Sequence, residues 1–236
     1  MDNVIENKRR AGEYAATLVE DGMVIGLGTG STVRYFVEAL ARRVREEGLD
    51  VLGFVTSGRT AALAEQLGIR IHQGDSIIPI DLTVDGADSV DAELNGIKGG
   101  GAALLFEKII ATNSKRNIWV VDESKLHERL WNFPVPVEVV PYGSFSLLRR
   151  FEQHGYQPTM RMASDGVPIA TDAGHYIIDL HIEDHPNPQA LATELKQTVG
   201  VVDHGLFLNI ADAVIVGGTE LRVVKKVTTI QEEVIK

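Results

Sequence analysis

The run MVIGLGTGST, Met23 to Thr32, decides the fold. Met23 to Leu27 is short and apolar, interrupted by Gly26, and it leads into Gly28, Thr29, Gly30, Ser31 and Thr32. From Thr32 to about Glu47 the apolar residues Val33, Phe36, Val37 and Leu40 recur at helical spacing and are expected to face inward. The reading is strand, tight turn, helix. Before it, residues 4–19 read as a helix with Ala11, Ala15, Leu18 and Val19 on one face, closed by an Asp21-Gly22 turn. After it come a strand Val51–Val55, a turn Thr56-Ser57-Gly58, a helix Arg59–Leu67, and strands Ile69–His72 and Ile77–Val84. Strands alternating with helices predict a mostly parallel sheet with crossovers on both faces. Ligands of such sheets bind at the carboxyl ends of the strands, where the loops GLGTGST, TSGRT and DGAD all fall.

The DGAD loop opens the stretch Val84 to Lys108, VDGADSVDAELNGIKGGGAALLFEK. Asp85 and Asp88 stand three residues apart at the end of a strand; Asn95, Lys98 and the glycines Gly99, Gly100 and Gly101 follow, and then a periodic segment with Ala103, Leu104, Phe106, Glu107 and Lys108. Consecutive glycines are costly inside an element and read as a turn with open backbone N–H groups. A lysine, exposed amides and three acids near such a turn form either a charged pocket or an ordinary solvated loop. In the earlier turn, Ser31 stands where a dinucleotide fingerprint has its third glycine, and the lysine of a P-loop is absent. That turn offers amides, a helix N-terminus and the hydroxyls of Thr29, Ser31 and Thr32 either to an anion, naturally a phosphate, or to the fold alone.

Beyond residue 116 the pattern changes. Asn117–Val121 reads as a strand, Phe133-Pro134-Val135-Pro136 as a boundary, Val137–Val140 as a strand, Tyr142–His154 as a helix and Thr159–Met162 as a strand. Tyr176–His181 is a strand, Gln189–Thr198 a helix and Val199–Asp203 a closing segment. This suits a small α+β domain over residues 131–205. The strand Ala213–Val216 and the tail from Leu221 are expected to rejoin the first sheet, so residues 1–130 together with 206–236 form a discontinuous principal domain.

Composition excludes several classes. The formal net charge is -10, from 23 basic and 33 acidic side chains, which argues against nucleic-acid and anionic-membrane partners. No cysteine is present, so there is no disulfide framework, thiolate metal site or cysteine nucleophile. The seven histidines are scattered without metal-ligand spacing. The polar start MDNVIENKRRAGEYAA lacks the apolar core of a signal peptide, and no apolar run is long enough to span a bilayer; a cytoplasmic protein is expected.

GLGTGST at 26–32, TSGRT at 56–60, DGAD at 85–88, IKGGGAALLFEK at 97–108, VVDESK at 120–125, VPVEVVP at 135–141 and HGLF at 204–207 together resemble the A-type ribose-5-phosphate isomerase family. The motifs stand in the family's order and roughly its spacing. The resemblance implies a Rossmann-like α/β domain with a smaller α+β domain, a homodimer or homotetramer, and an active site with no metal or cofactor. It also implies the interconversion of D-ribose 5-phosphate and D-ribulose 5-phosphate in the pentose phosphate pathway.

Matched by position, Glu107 is the general base, and Asp85, Asp88 and Lys98 are the other catalytic residues. Substrate contacts fall on Thr29, Gly30, Ser31, Thr32, Asp85, Gly86, Ala87, Asp88, Lys98, Gly99, Gly100, Gly101 and Lys125, with Lys8 where a phosphate-reaching lysine often stands. Two positions depart from the family pattern: Ser89 replaces a glutamate and Phe106 an arginine. The chemistry suits the residue types, because one carboxylate can move a proton between neighbouring carbons. A lysine and turn amides can stabilise the oxyanion that grows meanwhile. Two alternatives are a sugar-phosphate sensor and a nucleotide-cofactor enzyme. Against the first stands the acidic chain, whose first strand begins at Met23 with no basic helix-turn-helix before it; against the second stands Ser31.

Overall fold

The computed structural model describes residues 2–182, 186–225 and 231–235. In chain order the elements are α1 (Asp2–Ala16), β1 (Val24–Leu27), α2 (Ser31–Glu47), β2 (Leu52–Val55), α3 (Gly58–Gln66), β3 (Leu82–Asp85), β4 (Ser89–Val90), β5 (Gly96–Ile97) and α4 (Leu104–Thr112). Then follow β6 (Asn117–Asp122), β7 (Val135–Val139), α5 (Ser144–Gln153), β8 (Pro158–Met160), β9 (Tyr176–Leu180), α6 (Pro188–Gln197), β10 (Val201–His204), β11 (Leu206–Phe207), β12 (Ala213–Gly217), β13 (Leu221–Lys225) and β14 (Gln231–Ile235). Two compact units result: residues 1–87, 106–126 and 209–236, and residues 88–105 and 127–208. The chain is divided after residues 87, 105, 126 and 208, with residues 88–105 in the second unit.

The first unit is built on a seven-stranded sheet of order β14-β13-β12-β6-β3-β1-β2. From β12 to β2 every pairing is parallel, and β13 and β14 add antiparallel. All residues of β3, β6 and β12 are buried, as parallel strands covered on both faces must be. The expected inward residues Val33, Phe36, Val37 and Leu40 of α2 are buried, with Ala11 and Ala15 of α1. α1 ends earlier than expected, and Arg43 donates to the carbonyls of Ala16 and Val19 at 2.6 and 2.7 Å, capping it. β1 lies between β2 and β3, so the chain order reverses there and leaves a crevice at the carboxyl ends. From the tail after Leu221, β13 and β14 join this sheet; residues 226–230 and 236 of that expectation lie outside the described residues.

Two strand expectations fail locally. Ile69–His72 forms only one bridge, Gly53 to Ile71, and the chain bends away at Gly74-Asp75. Of Ile77–Val84, only the segment from Leu82 onward is strand; Pro79 lacks the N–H that a ladder needs, and Ile80 makes a lone bridge to Ser114.

In the second unit β10-β7-β9-β8 form an antiparallel sheet and β11-β5-β4 a smaller one. Of these, β4 and β5 sit in the stretch between Asp85 and the glycine turn, whose sequence read as loop. Val135, Val137 and Val139 of β7 pack with Leu147, Phe151, Leu191 and Leu195 of α5 and α6. β7 starts before the expected Val137 and contains Pro136. The Pro136 carbonyl accepts from Gly205 N at 2.7 Å, away from β9, so the missing N–H is also directed away and the β7–β9 ladder loses nothing. Asn187 caps α6, accepting from the amides of Gln189 and Ala190, with Pro188 in the first turn.

A carboxylate fixes the start of β1. Asp81 Oδ2 accepts from Val24 N at 2.9 Å and Oδ1 from Lys115 Nζ at 2.7 Å. The Lys115 bond first, and the Val24 amide second, hold its pKa below the ordinary 3.8. A lowered acid pKa gives stability that is present above the unfolded value and lost as pH falls through the folded one. Asp81→Asn should therefore cost about 1 kcal/mol at neutral pH. Urea melts compared across pH should show that difference shrinking below the ordinary aspartate pKa and vanishing only below the lowered folded one.

Candidate active site

The turn after β1 is organised by Asp85. This buried carboxylate at the end of β3 accepts on Oδ1 from Thr29 N at 2.9 Å and Gly86 N at 2.7 Å. Gly28 N donates to Val84 O at 2.9 Å, pressing the turn against β3. A Cβ on Gly28 would lie 2.1 Å from Asp85 Oδ1, so only glycine fits. Gly30, at φ 134° and ψ 170°, precedes α2 in a conformation that side-chain-bearing residues rarely adopt. No side chain caps α2, and its first turn holds no acid. Its leading amides thus face outward at the positive end of the helix, an arrangement suited to an anion. Lys8 Nζ donates to Ser31 Oγ at 3.0 Å and lies 3.7 Å from Asp122, at the end of β6.

The Thr29 hydroxyl does not face that helix end. It donates to Ser57 Oγ at 2.8 Å and pairs with Thr56 Oγ1 at 2.7 Å, while Thr60 Oγ1 donates to Gly28 O at 2.8 Å. The loops after β1, β2 and β3 are thereby joined, the convergence expected from their places at the strand ends. Gly86 and Ala87 continue from Asp85, half-buried. Lys125 closes a single 3₁₀ turn, Glu123–Lys125, and is half-buried. Glu107 stands in the first turn of α4 with 4% of its surface exposed; the helix's positive end favours a carboxylate there.

The remaining candidates belong to the second unit. Asp88 N donates to Ile97 O at 2.8 Å, and Asp88 Oδ2 accepts from Gly100 N at 2.7 Å. A Cβ on Gly100 would fall 2.7 Å from Asp88 Oδ1. Lys98 is buried, its N donates to Gly205 O at 2.9 Å, and its ammonium lies 5.3 Å from the Phe207 ring centroid. Gly99 and Gly100 also offer their carbonyls to Arg161 Nη1, at 2.7 and 3.3 Å. Gly101 completes the exposed turn.

The chain passes between units after Ala87 and again after Leu105. Lys8, Thr29 to Thr32, Asp85 to Ala87, Glu107 and Lys125 thus lie in the first unit, and Asp88 and Lys98 to Gly101 in the second. Sequence reasoning missed the stapling hydroxyls, although TSGRT was marked as a loop. It also missed Asp122 beside Lys8, and Arg161, which has no local motif at all. Among the described residues no group of three or more His, Asp or Glu side chains is placed to hold a metal ion.

The sequence model of ribose 5-phosphate isomerase A (phosphoriboisomerase A) matches residues 52–220. The chain belongs to this isomerase family. It is 54% identical over 210 residues to ribose-5-phosphate isomerase A of Bifidobacterium adolescentis, covering 89% of this chain and 90% of that one. Against the Lactococcus lactis subsp. cremoris protein of the same name, identity is 55% over 213 residues, covering 90% and 95%. The solved ribose 5-phosphate isomerase A of Methanocaldococcus jannaschii superposes with a TM-score of 0.89 at 37% identity, covering 94% of this chain and 99% of that one. A solved D-ribose-5-phosphate isomerase in complex with phospho-erythronic acid gives 0.89 at 37%, covering 99% and 100%.

Against the family pattern, Ser89 is fully buried and its hydroxyl donates to Leu130 O at 2.9 Å, so this isomerase uses the position to satisfy a backbone carbonyl. Gly28→Ala should displace the Asp85 carboxylate and destabilise by about 1–3 kcal/mol, the usual cost of overpacking. Thermal unfolding of the variant checks this; an unchanged melting temperature would show that the turn has slack the geometry denies.

Proposed function

We propose that the chain interconverts D-ribose 5-phosphate and D-ribulose 5-phosphate through an enediolate, with Glu107 as general base. The observation that carries the reading is the uncapped, acid-free N-terminus of α2 with Lys8 at Ser31, in a chain of this family. It is a seat for a phosphate monoester at the carboxyl end of the sheet that also delivers Asp85. The phospho-erythronic acid bound by the solved relative is itself a phosphorylated sugar acid. The amides of Ser31 and Thr32, with Lys8 and Lys125, take the phosphate. Glu107 removes the proton from C2 of the open-chain aldose and returns it to C1. The electron pair of the broken C–H bond forms the C1–C2 double bond, and the carbonyl oxygen takes up negative charge. Lys98 and the amides of Gly99 and Gly101 stabilise that charge as it grows, while Gly100 N holds Asp88. Asp88 shares a hydroxyl proton and Asp85 assists ring opening, two assignments that can be exchanged. Hydrogen moves as a proton, so the step needs no redox cofactor. The same reading makes the chain a cytoplasmic homodimer or homotetramer of the pentose phosphate pathway.

Glu107→Gln keeps size and hydrogen bonding but removes the basic lone pair. kcat should fall by at least about 10²–10⁴-fold, with KM within a few-fold. In deuterated water the variant should also lose exchange of the carbon-bound proton; exchange at the wild-type rate would make Asp88 the next candidate base. Ribose lacking its phosphate should be turned over very poorly, because remote binding energy is lost. A kcat/KM close to that for ribose 5-phosphate would remove the phosphate seat from the account.

A further inference from the structure

We infer that Arg161 is a positioning residue for the Lys98–Gly101 turn, acting through the peptide units of Gly99 and Gly100; this rests on the reading that the turn is catalytic. Arg161 follows β8, and its backbone is clamped on both sides: its N donates to Ile177 O and its O accepts from Ile169 N, both at 2.9 Å. Its guanidinium is held by Asp179 of β9, with Nε donating to Oδ2 at 2.8 Å and Nη2 to Oδ1. The remaining nitrogen, Nη1, donates to Gly99 O at 2.7 Å and Gly100 O at 3.3 Å. The two side chains are only 15% and 14% exposed, so the fork is fixed and largely dry.

A trans peptide sends its C=O and its N–H in opposite directions. The Gly99 carbonyl shares its peptide unit with Gly100 N–H, which donates to Asp88 Oδ2 at 2.7 Å. Guanidinium, peptide and carboxylate therefore form one chain of hydrogen bonds, Arg161 to Gly99–Gly100 to Asp88. The Gly100 carbonyl likewise belongs to the peptide that carries Gly101 N–H. Glycines rotate with little steric resistance, and a flip of either peptide would turn an amide away from its acceptor. Arg161 opposes that flip. A cationic donor on the carbonyl also polarises the peptide and strengthens the N–H bond to Asp88. Lysine cannot reproduce this, because a point charge does not span a carboxylate and a carbonyl in one rigid fork.

The rival account is that Arg161 only neutralises Asp179. Three variants separate the two, assayed with ribose 5-phosphate beside thermal melts. Arg161→Met should lower kcat about 10- to 100-fold, the scale of a small misplacement, with KM within a few-fold because the phosphate seat is untouched. Arg161→Lys keeps a charge beside Asp179 and the stability that goes with it, and should still lose about 10-fold in kcat. Arg161→Met combined with Asp179→Leu leaves no charge buried alone, so its melting temperature should return toward wild type while kcat stays as low as in Arg161→Met. Recovery of kcat with stability in the double variant would overturn the inference, as would a rise in KM with kcat intact, or wild-type kcat in Arg161→Lys. Failure of the wild-type protein to turn over ribose 5-phosphate would overturn the proposed reaction and this inference together, whereas the variant outcomes bear on Arg161 alone.

Discussion

One buried carboxylate sets the geometry of the first unit. Asp85 ends a fully buried strand, where an ionised group is costly unless hydrogen bonds replace its water. Thr29 N and Gly86 N supply two of them, and both must come from turns brought against the strand end. From that requirement follow the absence of a side chain at Gly28 and the extended, positive-φ link at Gly30. With the link drawn toward Asp85, α2 begins without a capping side chain, and its leading amides are left for something else. The hydroxyls of Thr56, Ser57 and Thr60 then tie the neighbouring loop to the same turn. A structural need at one carboxylate thus leaves a helix N-terminus with no side-chain cap and no acid in its first turn.

The second unit solves a different problem with the alternation of β7. Its valines face α5 and α6 and form the core. The intervening positions, Pro136 and Glu138, face the other way. That face is buried without being apolar: Glu138 accepts from Thr171 and pairs with His175, and Asp179 of β9 holds Arg161. Polar groups so placed must be paired, and pairing makes them rigid. The Lys98–Gly101 turn is attached to this rigid face through Gly205 and Arg161, which gives a glycine-rich segment a fixed conformation it would not have alone.

Much of this was legible in the sequence, for physical reasons that differ by element. The inward face of α2 follows from helical period, and the parallel sheet from alternation of strand and helix. Convergence of three loops follows from their positions at strand ends. The failures are equally local. Ile69–His72 and Ile77–Ile80 have strand composition, yet strand identity needs a partner along the whole run, and the bend at Gly74-Asp75 and the ring of Pro79 prevent it. The short β4, β5 and β11 are too brief for any period to show. Thr29 reads as a ligand hydroxyl by position, but its oxygen is occupied by Thr56 and Ser57. Arg161 was invisible because its partners, Gly99 and Asp179, lie 62 and 18 residues away and are joined only by the fold. The identity of the candidate acids came from the ordered set of motifs, since each glycine run alone is compatible with a plain turn.

Charge gives the last constraint. A chain with formal net charge -10 repels a phosphosugar at long range. At physiological salt such repulsion is screened beyond about 8 Å, so local groups decide. The proposed reaction places negative charge in two ways, permanently on the phosphate and transiently on the enediolate oxygen. In that proposal the first falls to the amides of α2 and to Lys8, whose ammonium lies beside Asp122 and Ser31. In the same proposal the second falls to Lys98, buried over Phe207, and to the amides of the turn whose Gly99 carbonyl accepts from Arg161. Backbone amides fit this division because they carry no net charge: they can be packed beside Asp85 and Asp88 without the repulsion or neutralisation that further carboxylates or lysines would bring. The glycines are what let the amides come close enough, and the hydrogen bonds at their far sides are what keep them aimed.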